Sequence, residues 1–468
     1  MSASVDRSAF AARVPSLERF RLALEENAAE ALRQGGTTLL ALPAPVAPIE
    51  ALLAGVDTDA LAWAAPSGFE LSALGAAEVV EASGPTRFRD VAERGREVLS
   101  RVRSLGLLGA TAPAPRLFGG FSFAARAPNS DLWRPFGEAR FVLPEIAYAV
   151  EGGEARLLVT VAAAELGRGA ARDALLDSAL RAFQAAERGL EVGPAVASAE
   201  AAHDQRPADD WAALVEAIRA EIQSGSLEKV VLARRVALEL GRAPDPAHVL
   251  ARLRQQAPEC TRFLVRRAGA TFLGATTEWL ARKHGATLET EAVAGSMSAL
   301  DREGGARLLE SGKDRAEHAL VLREIVRALS PLASSVEHGE KPELYELRHV
   351  LHLRSRVRAT LRGSPHLLHV VEQLHPTPAV GGVPTARALE WISSHEPDER
   401  GWYAGPIGWF DAAGDGEFAV ALRSGLLEGK RAHLYVGAGI VDRSSPAAEF
   451  TETRWKLAAL LGALGVRE

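Results

Sequence analysis

Cysteine is nearly absent from this chain. Cys260 stands alone among 468 residues, which excludes an internal disulfide and a cysteine-built zinc site. It follows Pro258-Glu259 at the end of a helical pattern with no partner group beside it, so a structural place is expected for it. Apolar runs of about 18 residues are missing too, which excludes a membrane-spanning helix. Residues 1–7 lack the apolar centre of a secretion signal, so a cytoplasmic location without a membrane partner is expected. No Lys/Arg run or basic stripe occurs, and the net charge is -6. Both argue against nucleic acid as a partner, and an anionic small substrate would need its positive charge supplied locally. Neither an internal repeat nor a low-complexity tract stands out beyond an alanine bias.

What the chain does have is a core-forming composition, 47% hydrophobic and 24% charged. The length admits two or three average domains, or one unit built on large mixed sheets. Along the chain, helices are expected over 17–34, 87–103 and 170–188, with strands over 37–42, 60–64, 69–74, 139–143 and 156–163. Gly119 and Gly120 alternate with aromatic residues within 117–123. Residues 191–208 are rich in Ala, Pro, Ser and charge without apolar periodicity. They are read as a linker between an N-terminal portion, 1–190, and a catalytic portion, 209–468, which can also form one continuous domain. Beyond it, Asp209 or Asp210 is expected to cap a helix carrying Trp211, Val215 and Ile218. Strands follow over 229–235, 262–265, 271–274, 288–294, 402–410, 417–423 and 433–436. They come in adjacent runs, so an α+β class with antiparallel sheets is favoured over a doubly wound sheet.

Groups able to do chemistry concentrate after residue 205. A Gly-rich turn is expected at Gly437-Ala-Gly439, followed by a helix with Ser445 as N-cap and Pro446 at its first position. Glu449, Glu452 and Lys456 sit at i, i+3 and i+7 and share a face. Such a face is commonly a solvated one carrying a Glu452/Lys456 pair. Asp314 and Glu317 repeat the spacing on a second helix, however, and four converging acids need a cation or strongly raised pKa values. Hard carboxylate donors favour magnesium, and His318 reads as a hydrogen-bonded structural group. Lys229 opens a β-branched strand. Glu278 follows a Gly-containing turn where Thr276 or Thr277 can cap a helix. Gly295-Ser296 ends an apolar strand that a flat ligand can approach, and the Pro/Gly-rich stretch from His375 to Gly382 forms a loop against the site.

Together these stretches resemble the chorismate-utilising enzymes. Lys-Val-Val-Leu-Ala-Arg at 229–234, Gly-x-x-x-Glu at 274–278, Ala-Gly-Ser at 294–296, Glu-His at 317–318 and His-Pro-Thr-Pro-Ala at 375–379 stand in the family's order. Tyr403-x-Gly405-x-x-Gly408, Arg423 and Gly-Ala-Gly-Ile-Val…Glu-x-x-Glu-x-x-x-Lys at 437–456 complete the set. The likeness spans roughly 205–466 and is weaker before it, where Gly119–Phe123 and Trp133 look like menaquinone-type members, with siderophore-type members, which need the same reaction, left open. It implies the anthranilate synthase component I-like fold, large antiparallel sheets packed together with helices outside, and a monomer. It further implies reversible conversion of chorismate to isochorismate. Lys229 would activate water for attack at C2, and Glu278 would protonate the departing C4 hydroxyl. Magnesium would be held by Glu317 and Glu452, with Asp314 and Glu449 assisting through water. Tyr403, Arg423, Lys456 and the Gly437 and Gly439 amides would hold substrate carboxylates, with His352, Gly295, Ser296 and Ala379 completing the substrate site.

The chemistry demands opposite tuning: a lysine base needs its pKa lowered and a glutamic acid donor needs it raised. Two positions depart from the family pattern. Ala-Thr-Thr replaces the common Ser-Pro before Glu278, and Asp314 stands where glutamate is frequent. Anthranilate-forming relatives carry Gln at the Lys229 position, and aminodeoxychorismate-forming relatives carry Lys where this chain has Ala294, so both are disfavoured. Salicylate synthases, which go on to eliminate pyruvate, keep the same base, acid and metal residues and stay open as the alternative. A non-catalytic magnesium-dependent binding protein of the same fold stays open as well.

Overall fold

The structure, a computed structural model, describes residues 14–166, 169–191, 199–204 and 208–466. Among them the strands form one sheet of 13 and one of 10. All pairings are antiparallel except Thr37–Pro43 against Val102–Gly106. At its functional end the larger sheet runs Ala199–Asp204, Lys229–Leu240, Arg431–Ile440, Ser424–Glu428, Ala270–Thr276, Thr261–Arg267, then continues into N-terminal strands from Ala60–Ala64 onward. The smaller sheet places Thr287–Ser298, Trp279–His284, Gly416–Val420 and Pro406–Asp411 in succession before reaching Arg116–Phe121. Both sheets thus draw strands from both sides of 191–208. The α+β expectation holds.

Side chains alternate across each strand, and the larger sheet is buried on both faces. Leu39 and Ala41 join the core between the sheets, with Trp63, Phe118 and Phe121. Leu40 and Leu42 join a second core with Phe20, Leu24, Leu175 and Leu457. Helices Leu17–Gln34, Gly169–Arg188, Pro246–Gln256 and Pro446–Leu464 cover that second face. Val321, Ile325 and Leu329 of Gly312–Leu329 belong to the inter-sheet core and seat that helix against Thr287–Ser298. Each such side chain, fully buried, contributes about 1.5–3 kcal/mol. Cys260 is buried and free.

Several local expectations need correction. The helix expected over 87–103 stops at Ser100, and Val102–Gly106 becomes the edge strand beside Thr37–Pro43. Asp209 and Asp210 lie inside the first turn of Ala208–Gln223, where their charge meets the helix dipole, not at its cap. Thr276 and Thr277 cap no helix, because Glu278 links two strands. The strand expected over 402–410 begins only at Pro406. Within 191–208, Ala199–Asp204 pairs with Lys229–Leu240 as a strand, and the remainder of that stretch, apart from its two ends, lies outside the described residues. So do residues 1–7. No helix among the described residues is long and apolar enough to cross a membrane.

The largest correction concerns Gly437 and Gly439. Strand Arg431–Ile440 runs straight through them, and no turn forms there. Helix Pro446–Leu464 does start at Ser445 with Pro446 at its head, but the Ser445 side chain makes no capping bond.

Candidate active site

Two chain crossings between the sheets define the site. The chain leaves the larger sheet at Thr276 and enters the smaller at Trp279, with Glu278 in the link. It returns from Gly416–Val420 to Ser424–Glu428 through Arg423. The crossings are bonded to each other, Val420 N–H to Glu278 C=O at 3.1 Å and Ala275 N–H to Arg423 C=O at 3.3 Å. Arg423 sits at φ 47°, a strained backbone for a residue with a side chain. Where the strands part, a cavity opens.

All candidate residues line this cavity except Asp314 and Glu449. Lys229, the first residue of its strand, is buried and pairs with Glu317 at 2.8 Å. Burial works against the Glu317 carboxylate, but Lys229, with Lys313 and Lys456 behind it, holds that group below its ordinary pKa. Glu278 is buried, and among the described residues no cation is in contact with it. Desolvation, joined by the charge of Glu291, pushes its carboxyl up to about 8, against a weaker pull from Thr377, Lys229 and Lys456. The Thr377 hydroxyl donates to Glu278 Oε1 at 3.3 Å from the 375–382 loop. That loop lies against the site as expected.

Gly295 occupies a bulge at φ 75°, and a Cβ there would meet Asp314 Cβ at 2.9 Å. Ser296 faces His352 across the ladder, its Oγ 3.0 Å from Nδ1. Arg423 donates to His352 Nε2 at 2.8 Å, so the ring proton belongs on Nδ1, directed at the Gly295 carbonyl 3.2 Å away. Burial, then Arg423, holds the imidazole well below its usual pKa, so His352 orients Arg423 as a neutral acceptor. Among the described residues Arg423 makes no ion pair, which leaves its charge for a ligand carboxylate. Tyr403 stacks on Tyr435 at 5.4 Å, and burial pushes its phenol up.

The Gly437 and Gly439 amides are aimed by strand pairing. Opposite them, Ala233 N–H goes to Glu396, Val231 N–H to Gly381, and Val231 C=O accepts from Arg400. These are therefore non-hydrogen-bonded pairs, and both glycines turn their backbone groups away from Lys229–Leu240. Ser424–Glu428 pairs only as far as Tyr435, so beyond it those groups face the cavity. Lys456 already donates to Gly437 C=O at 3.0 Å. Glycine is also needed sterically: a Cβ on Gly439 would lie 2.5 Å from Glu317 Oε1 and 2.9 Å from Lys229 Cε. Gly439→Ala is expected to leave the protein folded and lower kcat about 10²-fold by displacing that pair. Steady-state kinetics beside a melting curve checks it, and an intact kcat would contradict it.

The acids of the two helices each have a local partner. Glu452 meets Lys456 at 2.7 Å, so the expected i, i+4 pair forms, but in the cavity wall and not on a solvated face. Glu449 is buried and meets Lys313 at 2.6 Å, while Asp314 and Ser311 bond each other at the start of Gly312–Leu329. Desolvation raises Asp314, and Glu317 and Glu452 add to it. Desolvation and Glu452 likewise raise Glu449. Four carboxylates therefore share one field, an oxygen-only donor set of the kind magnesium takes. Among the described residues no three of these groups form a ready coordination cluster. A dication must displace the lysines. His318 is buried, is raised by a bond with the Ala292 backbone yet lowered overall by burial, and lines no part of the cavity.

Sequence reasoning missed Thr377, Lys313, Glu291 and Arg400. Arg400 is buried, pairs with Glu396 at 2.6 Å, and donates to Val380 C=O and Val231 C=O at 2.8 Å each. It thereby ties the Ala379 loop to the Lys229 strand. The Arg400/Glu396 spacing of i, i+4 was the one available signal.

The chain matches the family described as "Chorismate binding enzyme" over residues 30–465. It is 37% identical over 428 residues to the salicylate biosynthesis isochorismate synthase of Pseudomonas aeruginosa, covering 90% of this chain and 88% of that protein. To isochorismate synthase MenF of Bacillus subtilis it is 36% identical over 360 residues, 76% of each chain. The solved structure of MenF, the menaquinone-specific isochorismate synthase from Escherichia coli, resembles it at a TM-score of 0.75 and 25% identity, over 95% of this chain and 99% of that one.

Proposed function

This chain belongs to the chorismate-binding enzyme family, and from that premise we propose that it is an isochorismate synthase, interconverting chorismate and isochorismate. The observation that carries the reading is a buried carboxyl held protonated near neutrality, Glu278, lining the same cavity as the buried lysine Lys229. Lys229, released from Glu317 and in its neutral form, takes a proton from water as its oxygen attacks C2 of the ring. Glu278 gives its proton to the C4 hydroxyl, which leaves as water. Arg423, held by His352, receives a substrate carboxylate, and Lys456 with the Gly437 and Gly439 amides receives the other. Tyr403, Ser296, Gly295 and Ala379 shape the walls. Acid and base each supply about 10²–10⁴-fold.

The carboxylates of Glu317 and Glu452, with Asp314 and Glu449 behind them, would hold magnesium. When bound, the ion supplies positive charge for the ring carboxylate in a protein of net charge -6. Glu452→Ala is expected to abolish magnesium binding and activity together. An unchanged affinity by calorimetry would refute the ligand assignment.

We read the chain as one continuous domain acting as a cytoplasmic monomer, its N-terminal strands completing both sheets. The relatives' names spread over menaquinone and salicylate biosynthesis, so the shared step, not the pathway, is proposed. Chromatography from either side of the equilibrium tests it. Purified protein with magnesium should bring chorismate and isochorismate to the same ratio from both directions, whereas salicylate with pyruvate would move the assignment to a salicylate synthase.

A further inference from the structure

Glu291 lies behind the acid and takes no part in the steps above. It is buried on strand Thr287–Ser298, and its Oε1 accepts from the Trp279 backbone N–H at 3.0 Å. That amide needs an acceptor. The ladder between Trp279–His284 and Thr287–Ser298 runs only from Arg282↔Glu289 to His284↔Thr287, so Trp279 has no backbone partner there. The Trp279 ring is fixed as well, its indole donating to Thr261 Oγ1 at 3.3 Å and its face covered by Arg282 at 3.8 Å. Thr277 lines both the catalytic cavity and a neighbouring groove that Glu291 also lines. Glu278 and Glu291 thus stand at two sides of one wall.

An amide side chain would satisfy Trp279 equally well, and a buried carboxylate is the costlier choice. What the carboxylate adds is charge. We propose that Glu291 is a positioning residue for the general acid: it pins the Thr277-Glu278-Trp279 crossing and presents a fixed negative charge behind Glu278. This rests on Glu278 being the acid.

The surroundings decide which of the two carboxyls holds its proton more tightly. Glu291 has the Trp279 N–H, Arg354 at 3.9 Å and Arg356 beyond it, with Glu343 opposing. Arg354 is itself held, over the Tyr345 ring at 4.0 Å and against Glu343 at 2.8 Å. Glu278 has the Thr377 hydroxyl in contact, Lys229 and Lys456 at longer range, and Glu291 opposing. Burial raises both, but the donors and cations gather on Glu291. The proton therefore stays on Glu278, where the reaction needs it.

The test is the pH profile of kcat for chorismate consumption with magnesium saturating. Glu291→Gln keeps the acceptor for Trp279 and removes the charge. Its alkaline limb should move about one pH unit lower, roughly tenfold in rate well above the limb. Glu291→Asp should restore the limb towards wild type. A limb that stays in place in Glu291→Gln, whether rates are kept or fall equally at every pH with a lower melting temperature, overturns the proposal. Should Glu291→Gln not fold, Arg354→Gln weakens the hold on the Glu291 charge instead and must also move the limb lower, and no movement is again fatal. Glu278→Gln separates the two ideas. A wild-type limb there removes the acid assignment itself, whereas a limb lost there but unmoved in the other variants overturns only the role of Glu291.

Discussion

Replacing Lys229 with glutamine is expected to lower kcat by about 10²–10⁴-fold while chorismate still binds. Glutamine has much of the reach and some of the hydrogen bonding, but its amide nitrogen cannot take a proton from attacking water. The pair at 2.8 Å gives the variant a second signature. Glu317 loses its contacting cation inside a buried site, so magnesium no longer competes with Lys229 for it, and affinity for the ion should hold or rise. Steady-state kinetics with calorimetric titration of magnesium reads both. Wild-type turnover would remove Lys229 from the mechanism, and a weakened ion would show the pair to be part of the metal site.

Glu278→Gln should cost activity on the same scale, about 10²–10⁴-fold, and should at the same time stabilise the fold. The carboxyl titrates at 4.5 when exposed and at about 8 in the folded protein. Below pH 4.5 both states are protonated and the group has no effect on stability. Between 4.5 and 8 the unfolded chain releases the proton while the folded one keeps it, so stability falls as pH rises and levels off above 8. At pH 7 the burial of Glu278 therefore costs about 3 kcal/mol, which a neutral glutamine avoids. Urea denaturation at pH 4 and pH 7 checks this. The variant should gain on wild type at pH 7 and match it at pH 4, and an equal difference at both would mean that the carboxyl does not carry the shift. For the same reason forward turnover by wild type should decline as pH rises through about 8.

How far the site could be read from the chain depended on whether the residues involved belong to one element. Glu449, Glu452 and Lys456 announce themselves by helical spacing, as do Asp314 and Glu317, and both faces turn towards the same cavity region. The ordered motifs carried Lys229, Glu278, Arg423 and the glycines, all of which line the cavity. Partnerships across elements left no such trace. Lys313 reaches Glu449 over 136 positions and Thr377 reaches Glu278 over 99, and nothing in local periodicity reports either. Glu291 read as one more strand residue because its partner is a backbone amide. The fold class followed from the adjacent runs of strands, whereas two boundaries failed for physical reasons. Gly437 and Gly439 suggested a turn because glycine usually breaks strands. Here it removes a Cβ that would strike the Lys229–Glu317 pair, and the strand continues. The helix after Arg87 looked three residues longer because nothing in Arg101-Val102-Arg103 separates a last helical turn from an edge strand.

The central claim is that Lys229-activated water becomes the new ring hydroxyl while Glu278 sends the old one away. Turnover of chorismate by the purified protein with magnesium in H₂¹⁸O, stopped early and read by mass spectrometry with fragment assignment, tests it most directly. Isochorismate carrying one ¹⁸O at its C2 hydroxyl is the expected product. Unlabelled isochorismate would mean that the C4 hydroxyl migrates without solvent, and no turnover at all would contradict the account outright.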